Sequence, residues 1–329
     1  FMEYLIDPVR IIAHGGDTVC FHSDMVLVPD AHIGYFLSYN SLGKNVGGGR
    51  GEVWHALVNR YFSSPVEPKV DVDPNTATSD GRKMSGVYVG TRRGETTFLK
   101  LIALLSQSHV SSDKDGVLTI EGEKNQSGEL KKWKEIAPLV YREIDGLERI
   151  AFRRDAYGTV REMLPFPAIY EGQRVPWYAS KSFIGLVIGG NLLLVVLTVL
   201  LWPVAFLVRR KYERPLFSAQ TDRVLYVVSR MVCLGELIFL LAPVIMFSQG
   251  LEHIVILGDK INPWLRALHI FGWILMAGIV LLIIAAVRFV RLPGHGLWFR
   301  AHAILLAIGG IAFAVFAWQY HLLDASLRF

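Results

Sequence analysis

The chain has 329 residues, of which 52% are hydrophobic, and a formal net charge of +5. This composition excludes an intrinsically disordered chain, a collagen-like repeat and a disulfide-rich mini-protein. The charges are unevenly distributed, because residues 1–180 hold 21 Lys and Arg against 23 Asp and Glu, whereas residues 181–329 hold 13 against 6. The averages therefore describe two different regions that join near residue 180.

Residues 1–62 have the pattern of an α/β segment. Short apolar or β-branched runs predict strands at residues 9–13, 24–29 and 32–40. The first strand ends at His14-Gly15-Gly16-Asp17, and Pro29-Asp30 predicts a turn between the other two. A glycine-rich loop covers 43–51, and residues 52–62 have the apolar spacing of a short helix that would pack on the sheet.

Residues 63–82 are rich in Pro, Gly, Ser, Asp and Thr and predict a linker. Beyond it, a β-rich domain and an approach to the membrane are predicted for residues 83–180. Its short β-prone runs, separated by turns with glycine, lie at 86–90, 96–105, 117–121, 139–144 and 149–152. Such spacing is typical of a small antiparallel barrel or sandwich. Residues 164–176, with three prolines, lead to the membrane.

Residues 181–329 predict a four-helix transmembrane domain. Uncharged stretches of 27, 21 and 23 residues occupy 182–208, 267–287 and 301–323. Each exceeds the roughly 20 residues that a helix needs to cross a bilayer. A fourth segment is nearly as apolar but contains Arg230 and Glu236. The predicted spans are about 182–208, 224–249, 265–287 and 301–323, with the lipid bilayer as a partner.

Basic residues in the connections between these spans predict the orientation. The connection at 209–223 holds five Lys and Arg and that at 288–300 holds three, whereas 251–263 holds one lysine beside two acidic residues. The positive-inside rule places both basic connections in the cytoplasm. Residues 1–180 and the C-terminus are then extracytoplasmic, on the cytoplasmic (inner) membrane. The positive charge thus reports topology, and no nucleic-acid partner is expected.

Glu236 is the most notable polar residue within a predicted span. A carboxylate there is costly and normally faces the bundle interior, paired or protonated. Arg230, His269 and His302 are the candidate partners, and the sequence does not choose among them. Glu236 is either a proton or ligand site, as in a transporter subunit, or a helix–helix hydrogen bond that fixes packing. The second role is favoured.

The cysteines and histidines do not predict a metal or cofactor site. Cys20 and Cys233 lie in different regions, so no disulfide is expected. His14 and His22 lack a third ligand nearby, and a structural or surface role is expected for His22. No metal ligand set and no cofactor are predicted.

The run from Ile11 to Ser23 and the strands after it resemble the C-terminal end of the catalytic domain in serine β-lactamases and penicillin-binding-protein-like hydrolases. In that family a Lys-Thr-Gly or His-x-Gly triplet lies on the edge strand facing the nucleophilic serine, and His14-Gly15-Gly16 matches the second form. The resemblance implies an acyl-enzyme mechanism in which this strand binds an acyl or peptide-like substrate and stabilises the oxyanion. The domain after the linker is similar, more loosely, to a β-rich accessory domain of such hydrolases.

The family's Ser-x-x-Lys and Tyr-x-Asn motifs would precede the triplet and are absent. Ser41-Leu42-Gly43-Lys44 imitates Ser-x-x-Lys but opens a glycine-rich loop after the triplet. Ser38-Tyr39-Asn40 imitates Ser-x-Asn but is better explained by alternation along a strand, so neither is assigned a catalytic role. The chain is therefore expected to be the C-terminal portion of a membrane-anchored hydrolase and to be inactive alone. The alternative is an envelope binding or sensor protein with a β-rich outer module.

Overall fold

The computed structural model gives two compact units, residues 1–92 with 106–176 and residues 93–105 with 177–329. The structure describes residues 1–6, 9–18, 21–41, 53, 56–58, 60–62, 72–125, 127–146, 148–165, 171–213, 216–252 and 261–324.

The first unit begins with a four-stranded antiparallel sheet whose strands follow one another in chain order. They are β1 (Met2–Ile6), β2 (Val9–Asp17), β3 (His22–Val28) and β4 (Ile33–Tyr39). A 3-10 turn at Pro29–Ala31 joins β3 to β4, so the predicted turn and the two strands that flank it are confirmed. The predicted strand at 9–13 is longer than expected. It runs through His14-Gly15-Gly16, and β1 was not predicted.

Alternate positions on the strands divide this sheet into a covered face and an open face. Ile11 and Ala13 of β2 are buried together with Val26 of β3. Val58 packs with them, and residues 56–58, 60 and 61 are helical. The helix predicted at 52–62 is therefore confirmed for the residues described there, and it packs on the sheet.

The rest of the first unit is a closed eight-stranded barrel in which every neighbouring pair is antiparallel. Its strands are β5 (Gly86–Gly90), β6 (Ser108–Ser112), β7 (Leu118–Lys124), β8 (Leu130–Ala137), β9 (Val140–Glu143), β10 (Arg149–Arg154), β11 (Val160–Pro165) and β12 (Gly172–Arg174). Strands pair in chain order, and β12 pairs with β5 to close the barrel. The predicted antiparallel β domain is thus a barrel, which leaves no open sheet edge.

The barrel core is built from alternate, inward-facing side chains. Tyr88, Trp133, Tyr141 and Phe152 are its largest members, and each is at most 4% exposed. The Phe152 ring lies edge-on to those of Tyr88 and Tyr141, with centroids 6.0 and 5.6 Å away. Such pairs add to the stabilisation that apolar burial supplies.

Helix α1 (Pro74–Met84) precedes the barrel and packs on it through Met84, whose side chain is fully buried in the barrel core. The Asp73 carboxylate caps the helix by accepting the Thr76 backbone N–H at 3.0 Å, and Pro74 occupies the first turn. Residues 74–82 were expected to belong to a linker. The helix was missed because it is polar, with few apolar positions to reveal a helical period.

Helix α2 (Lys100–Leu105) belongs to the second unit. The strand predicted at 96–105 is therefore wrong. A continuous apolar run of this length suits either a strand or a helix, and the spacing of its residues does not distinguish them.

Four long apolar helices make up the rest of the second unit: α3 (Lys181–Lys211), α4 (Gln220–Glu252), α5 (Asn262–Arg291) and α6 (Leu297–Gln319). All four are long and apolar enough to cross a membrane, which confirms the four predicted spans. Each packs against two others, since α3 contacts α4 and α6 while α5 contacts α4 and α6. The protein is a membrane protein with β-rich domains.

Glycines let these helices approach one another closely. A side chain at Gly235 would meet Leu275, one at Gly272 would meet Phe239, and one at Gly278 would meet Val232, each closer than 3.0 Å. Small residues at helix contacts are the usual means of packing in membranes, where burial of apolar surface supplies no drive for association.

Candidate functional site

The His14-Gly15-Gly16 triplet lies in the second half of β2. Strand β1 pairs with residues 9–13 of β2, and β3 pairs with residues 12–17. Among the strands that the structure describes, only β3 therefore pairs with the triplet. The triplet was expected on an edge strand. It lies instead on β2, an internal strand of the sheet, in the part of that strand that pairs with β3.

His14 belongs to the open face of the sheet, because the positions on either side of it face the covered one. Its imidazole is exposed and lies 5.6 Å from the Phe1 ring, centroid to centroid. Across the ladder, His14 is opposite Met25, which in turn is opposite Phe36. Phe36 is 68% exposed and Leu27, on the same face, is 38% exposed. The open face is thus partly apolar and is uncovered in the described structure.

His22 is buried and paired, and the sequence did not reveal its partner. Its Nδ1 atom lies 2.6 Å from an Asp17 carboxylate oxygen, and its ring lies 5.2 Å from that of Tyr39. The imidazole is 3% exposed, and its Nε2 atom has no partner among the described residues. The Asp17 contact fixes the orientation of the ring. A structural role fits, whereas a surface role does not.

The Ser38-Tyr39-Asn40 look-alike does not pair with the triplet. Ser38 and Tyr39 lie on β4, which β3 separates from β2, and Ser38 pairs with Ser23. The strand alternation expected there is therefore present. Ser41 is described, but residues 42–44 of the Ser-x-x-Lys look-alike and Cys20 lie outside the described residues.

The barrel contains a cavity of about 190 Å³. Its inner wall is apolar and aromatic, formed by Tyr88, Ile120, Trp133, Ile150 and Met163. Its polar lining comes from Ser106, Ser108, Glu123, Glu148 and Arg149. An eight-stranded barrel has an interior wide enough for packed side chains or one small ligand.

Strand β8 contributes two charged side chains and one tryptophan to the inner face, and the sequence did not reveal this arrangement. Lys131, Trp133 and Glu135 alternate with the exposed Lys132 and Lys134. The Lys131 ammonium lies 2.7 Å from the Glu148 carboxylate and 3.8 Å from that of Glu143. Every second side chain of β8 from Lys131 to Glu135 faces inward, which is the usual signal of a strand. Charged residues on both faces of β8 hid this alternation in the sequence.

Glu135 is 2% exposed, and one of its oxygens accepts the Leu139 backbone N–H at 3.0 Å. Its other carboxylate oxygen, the Tyr141 hydroxyl and the Trp133 indole nitrogen are buried without a hydrogen-bond partner in the described structure. Burial raises the pKa of Glu135 and that of the Tyr141 hydroxyl. The barrel interior therefore holds unused hydrogen-bonding capacity.

Glu236 faces the interior of the helix bundle and is 2% exposed. One of its oxygens accepts a hydrogen bond from the Asn191 side-chain amide on α3 at 3.0 Å. Arg230, His269 and His302 were the expected partners, and among the contacts described the observed one is Asn191. Asn191 also fits against Gly309 of α6, where an added Cβ would lie 1.9 Å from its side-chain oxygen. This contact joins three helices.

The residues expected to pair with Glu236 have other neighbours. The Arg230 guanidinium lies 3.6 Å from the Tyr226 ring centroid, a cation–π contact. His302 lies 3.0 Å from the Thr198 hydroxyl. His269 is buried on α5, with its Nδ1 atom unpaired in the described structure. The polar residues of the bundle therefore form separate contacts.

Among the described residues, no group of three His, Cys, Asp or Glu side chains is arranged to hold a metal ion. No family model matches the chain. No curated protein is similar to it.

The likeness to solved structures is weak. The crystal structure of SurE with D-Leu gives a TM-score of 0.27 at 16% identity over 50% of this chain, and that of SurE gives 0.29 at 15% over 53%. This chain spans 35% and 36% of the lengths of those chains. TM-scores this low do not establish a shared fold.

Proposed function

We propose that this chain is the C-terminal, membrane-anchored part of an extracytoplasmic serine hydrolase related to β-lactamases and penicillin-binding proteins. The observation that carries the proposal is the match of His14-Gly15-Gly16 to the His-x-Gly triplet, with the His14 imidazole exposed on the open face of β2. Glycines there let the substrate approach the backbone closely.

The open face of the sheet gives a second line of support. A sheet in an α/β domain is stable when apolar material covers its hydrophobic faces. Here the helical residues around Val58 cover one face, while Leu27 and Phe36 stay exposed on the face that carries His14. An additional part of the same catalytic domain would cover those side chains and bring a nucleophile to the triplet.

In the proposed reaction, a serine outside these 329 residues attacks the acyl carbon, and a lysine or tyrosine, also outside them, accepts its proton. The tetrahedral intermediate then collapses to an acyl-enzyme as the bond to the substrate's amine or alcohol breaks and that group leaves with the proton, and water hydrolyses the acyl-enzyme. Backbone N–H groups of the triplet strand stabilise the oxyanion, a contribution of roughly 3–4 kcal/mol to the barrier. The exposed His14 imidazole donates a hydrogen bond to a substrate carboxylate or assists proton transfer.

We place the helices in the cytoplasmic membrane with the β-rich domains outside. The support is that α3 ends in Arg209, Arg210 and Lys211, and α5 ends in Arg288 and Arg291. Successive spans alternate in direction, so both basic ends reach the same side, which the positive-inside rule makes cytoplasmic. Alkaline phosphatase fused to the C-terminus tests this orientation, because the enzyme is active only outside the cytoplasm. An active fusion supports an extracytoplasmic C-terminus, and an inactive one contradicts it.

The reading frame upstream of codon 1 tests the hydrolase proposal. We expect Ser-x-x-Lys and Tyr-x-Asn motifs in frame, and the extended protein should hydrolyse a p-nitrophenyl ester. In that protein, His14→Asn should lower kcat/KM roughly 10- to 100-fold, the range for one lost hydrogen bond to a charged group. His32→Asn is the matched control, because His32 is exposed in the same sheet domain and has a positive φ that Asn tolerates.

An immediate in-frame stop codon, or unchanged kcat/KM in His14→Asn, contradicts the proposal. A loss shared equally by His32→Asn would show that any exposed histidine of the sheet affects activity, which also contradicts the assigned role.

A further inference from the structure

Residues 93–105 connect two barrel strands but do not belong to the barrel's unit. The chain enters this connection from β5 and leaves it into β6, and yet residues 93–105 form one compact unit with residues 177–329, which hold the four long helices. Neighbouring antiparallel strands are usually joined by about two to five residues. The connection here runs from residue 91 to residue 107. Its length lets it join the unit of the membrane helices.

The segment ends in an apolar run that includes α2. Residues 98–105 are apolar except for one lysine. Ala103 and Leu104 are each 7% exposed, so one side of α2 packs within the protein. Ile102 and Leu105 are 60% and 73% exposed, and because they are three residues apart they lie on one side of the helix. Helix α2 therefore presents two large apolar side chains that the described residues leave largely uncovered.

Two aromatic residues of the same unit mark the level of the bilayer surface. Trp177 and Tyr178 belong to a 3-10 turn just before α3 and are 72% and 59% exposed. The Trp177 ring packs edge-on against that of Phe183 in the first turn of α3, with centroids 5.0 Å apart. Trp and Tyr are enriched where lipid meets water, because their rings are apolar and their N–H and O–H groups are polar. The unit that holds α2 thus already has residues suited to the lipid surface.

The length and the charge of the apolar run fit a position in the bilayer surface. Residues 98–105 are too few to cross a bilayer, which takes roughly 20 residues in a helix. Arg92, Arg93 and Lys100 stand within or just before the run against one acidic residue, Glu95. Lipid phosphate groups are negative and attract such basic side chains. An apolar helix face beside basic residues is typical of a segment that lies in the membrane surface.

We propose that residues 93–105 are an interfacial membrane anchor, in which Ile102 and Leu105 insert into the lipid surface. The partner is a phospholipid monolayer, which contacts the apolar side of α2 and the basic residues beside it. The barrel then has two chain connections to membrane-bound segments, one between β5 and β6 and one between β12 and α3. The anchor depends neither on the proposed hydrolase activity nor on which side of the membrane the segment lies.

Spin labelling of the whole chain in phospholipid nanodiscs tests this anchor. A nitroxide is attached at Ile102→Cys or Leu105→Cys, in a background in which Cys20 and Cys233 are replaced by alanine. Oxygen concentrates in lipid whereas a nickel chelate stays in water, so the ratio of their collision rates with the label reports its surroundings. We expect this ratio to be at least about threefold higher at both positions than at Tyr157→Cys, on a barrel turn that is 93% exposed.

Two further labels calibrate the measurement. Leu193→Cys, on α3 and 61% exposed, gives the ratio for a side chain in lipid. Thr96→Cys is the matched control, because Thr96 is exposed in the same segment but precedes the apolar run, and its ratio should be close to that at Tyr157. Ratios at Ile102 and Leu105 equal to that at Tyr157 would show that α2 faces water, which overturns the proposal. Low collision rates with both reagents would show that protein covers α2, which also overturns it.

Discussion

The barrel and the helix bundle each bury one glutamate almost completely, and they satisfy it in different ways. Glu135 accepts a backbone N–H from Leu139, four residues along the same chain segment, and its second oxygen has no partner in the described structure. Glu236 accepts a side-chain amide from Asn191, on another helix. The first contact stabilises a turn between adjacent strands, whereas the second joins two elements that are distant in sequence.

The difference reflects the solvent around each region. A barrel in water is stabilised by burying apolar side chains, so its interior polar groups add little and are satisfied locally. Helices in lipid gain nothing from exchanging one apolar surface for another, so close packing and interhelical hydrogen bonds hold them together. Replacing large apolar residues should therefore damage the barrel most, and changes in shape at helix contacts should damage the bundle most.

The largest expected effect is in the barrel core. Phe152→Ala removes a ring packed between Tyr88 and Tyr141 and should lower the free energy of unfolding by about 3–5 kcal/mol. Tyr157→Ala is the control, because Tyr157 is 93% exposed and its loss should change stability by less than about 0.5 kcal/mol. Pulse proteolysis in urea measures both. Similar values for the two variants would show that burial does not dominate in the barrel.

The next effect is in the bundle, where the added volume is one methyl group. Gly309→Ala would place a Cβ against the Asn191 side chain and displace it from Glu236, at a cost of about 1–3 kcal/mol. Gly190→Ala adds the same group where no atom lies within 4 Å and should have little effect. Unfolding in detergent mixtures compares the two. Equal stability of both variants would show that the close contact at Gly309 does not stabilise the bundle.

A smaller effect is expected when the charge of Glu236 is removed and its hydrogen bond is kept. Glu236→Gln retains a side-chain oxygen for the Asn191 amide and should change bundle stability by no more than about 0.6 kcal/mol. Asn191→Ala removes the donor and should cost more, up to about 1.7 kcal/mol. The opposite order would show that Glu236 acts through its charge, as a proton or ligand site requires.

The smallest effect is a pH dependence in the barrel. Because burial raises the pKa of Glu135, the folded barrel binds more protons than the unfolded chain between the two pKa values. Stability therefore falls as the pH rises through that range. Glu135→Gln should raise Tm near neutral pH and leave it unchanged well below the pKa of an ordinary glutamate.

Glu129→Gln is the control. Glu129 is exposed and directly precedes β8, so this change should leave the pH dependence of Tm unchanged. A gain from Glu135→Gln that is equal at acidic and neutral pH would contradict the electrostatic cause.

The barrel and the helix bundle also differ in how well the sequence predicts them. The four long helices were predicted because three are uncharged runs and the fourth is nearly as apolar, each long enough to cross a bilayer. Strand β8 was missed because Lys131 and Glu135 face inward between lysines that face outward, so its hydrophobic alternation is hidden. Helix α1 was missed because Met84 is its one large apolar contact with the barrel core.

The candidate sites also differ in how well the sequence predicts them. His14-Gly15-Gly16 was singled out because a local motif is visible in the sequence; its functional role stays a prediction, and the extent of its strand was underestimated. Asn191 was missed as the partner of Glu236 because a contact between helices has no signature in local spacing. The signal that was present is that Asn191 is the one side-chain amide in the predicted span at 182–208.

We propose that this chain supplies the substrate-binding strand of a serine hydrolase whose nucleophile lies outside these 329 residues. A fluorophosphonate probe that labels activated serines tests it most directly, applied to this chain and to the protein extended upstream. We expect covalent labelling of the extended protein and none of this chain. Labelling of a serine within this chain, or of neither protein, would contradict it.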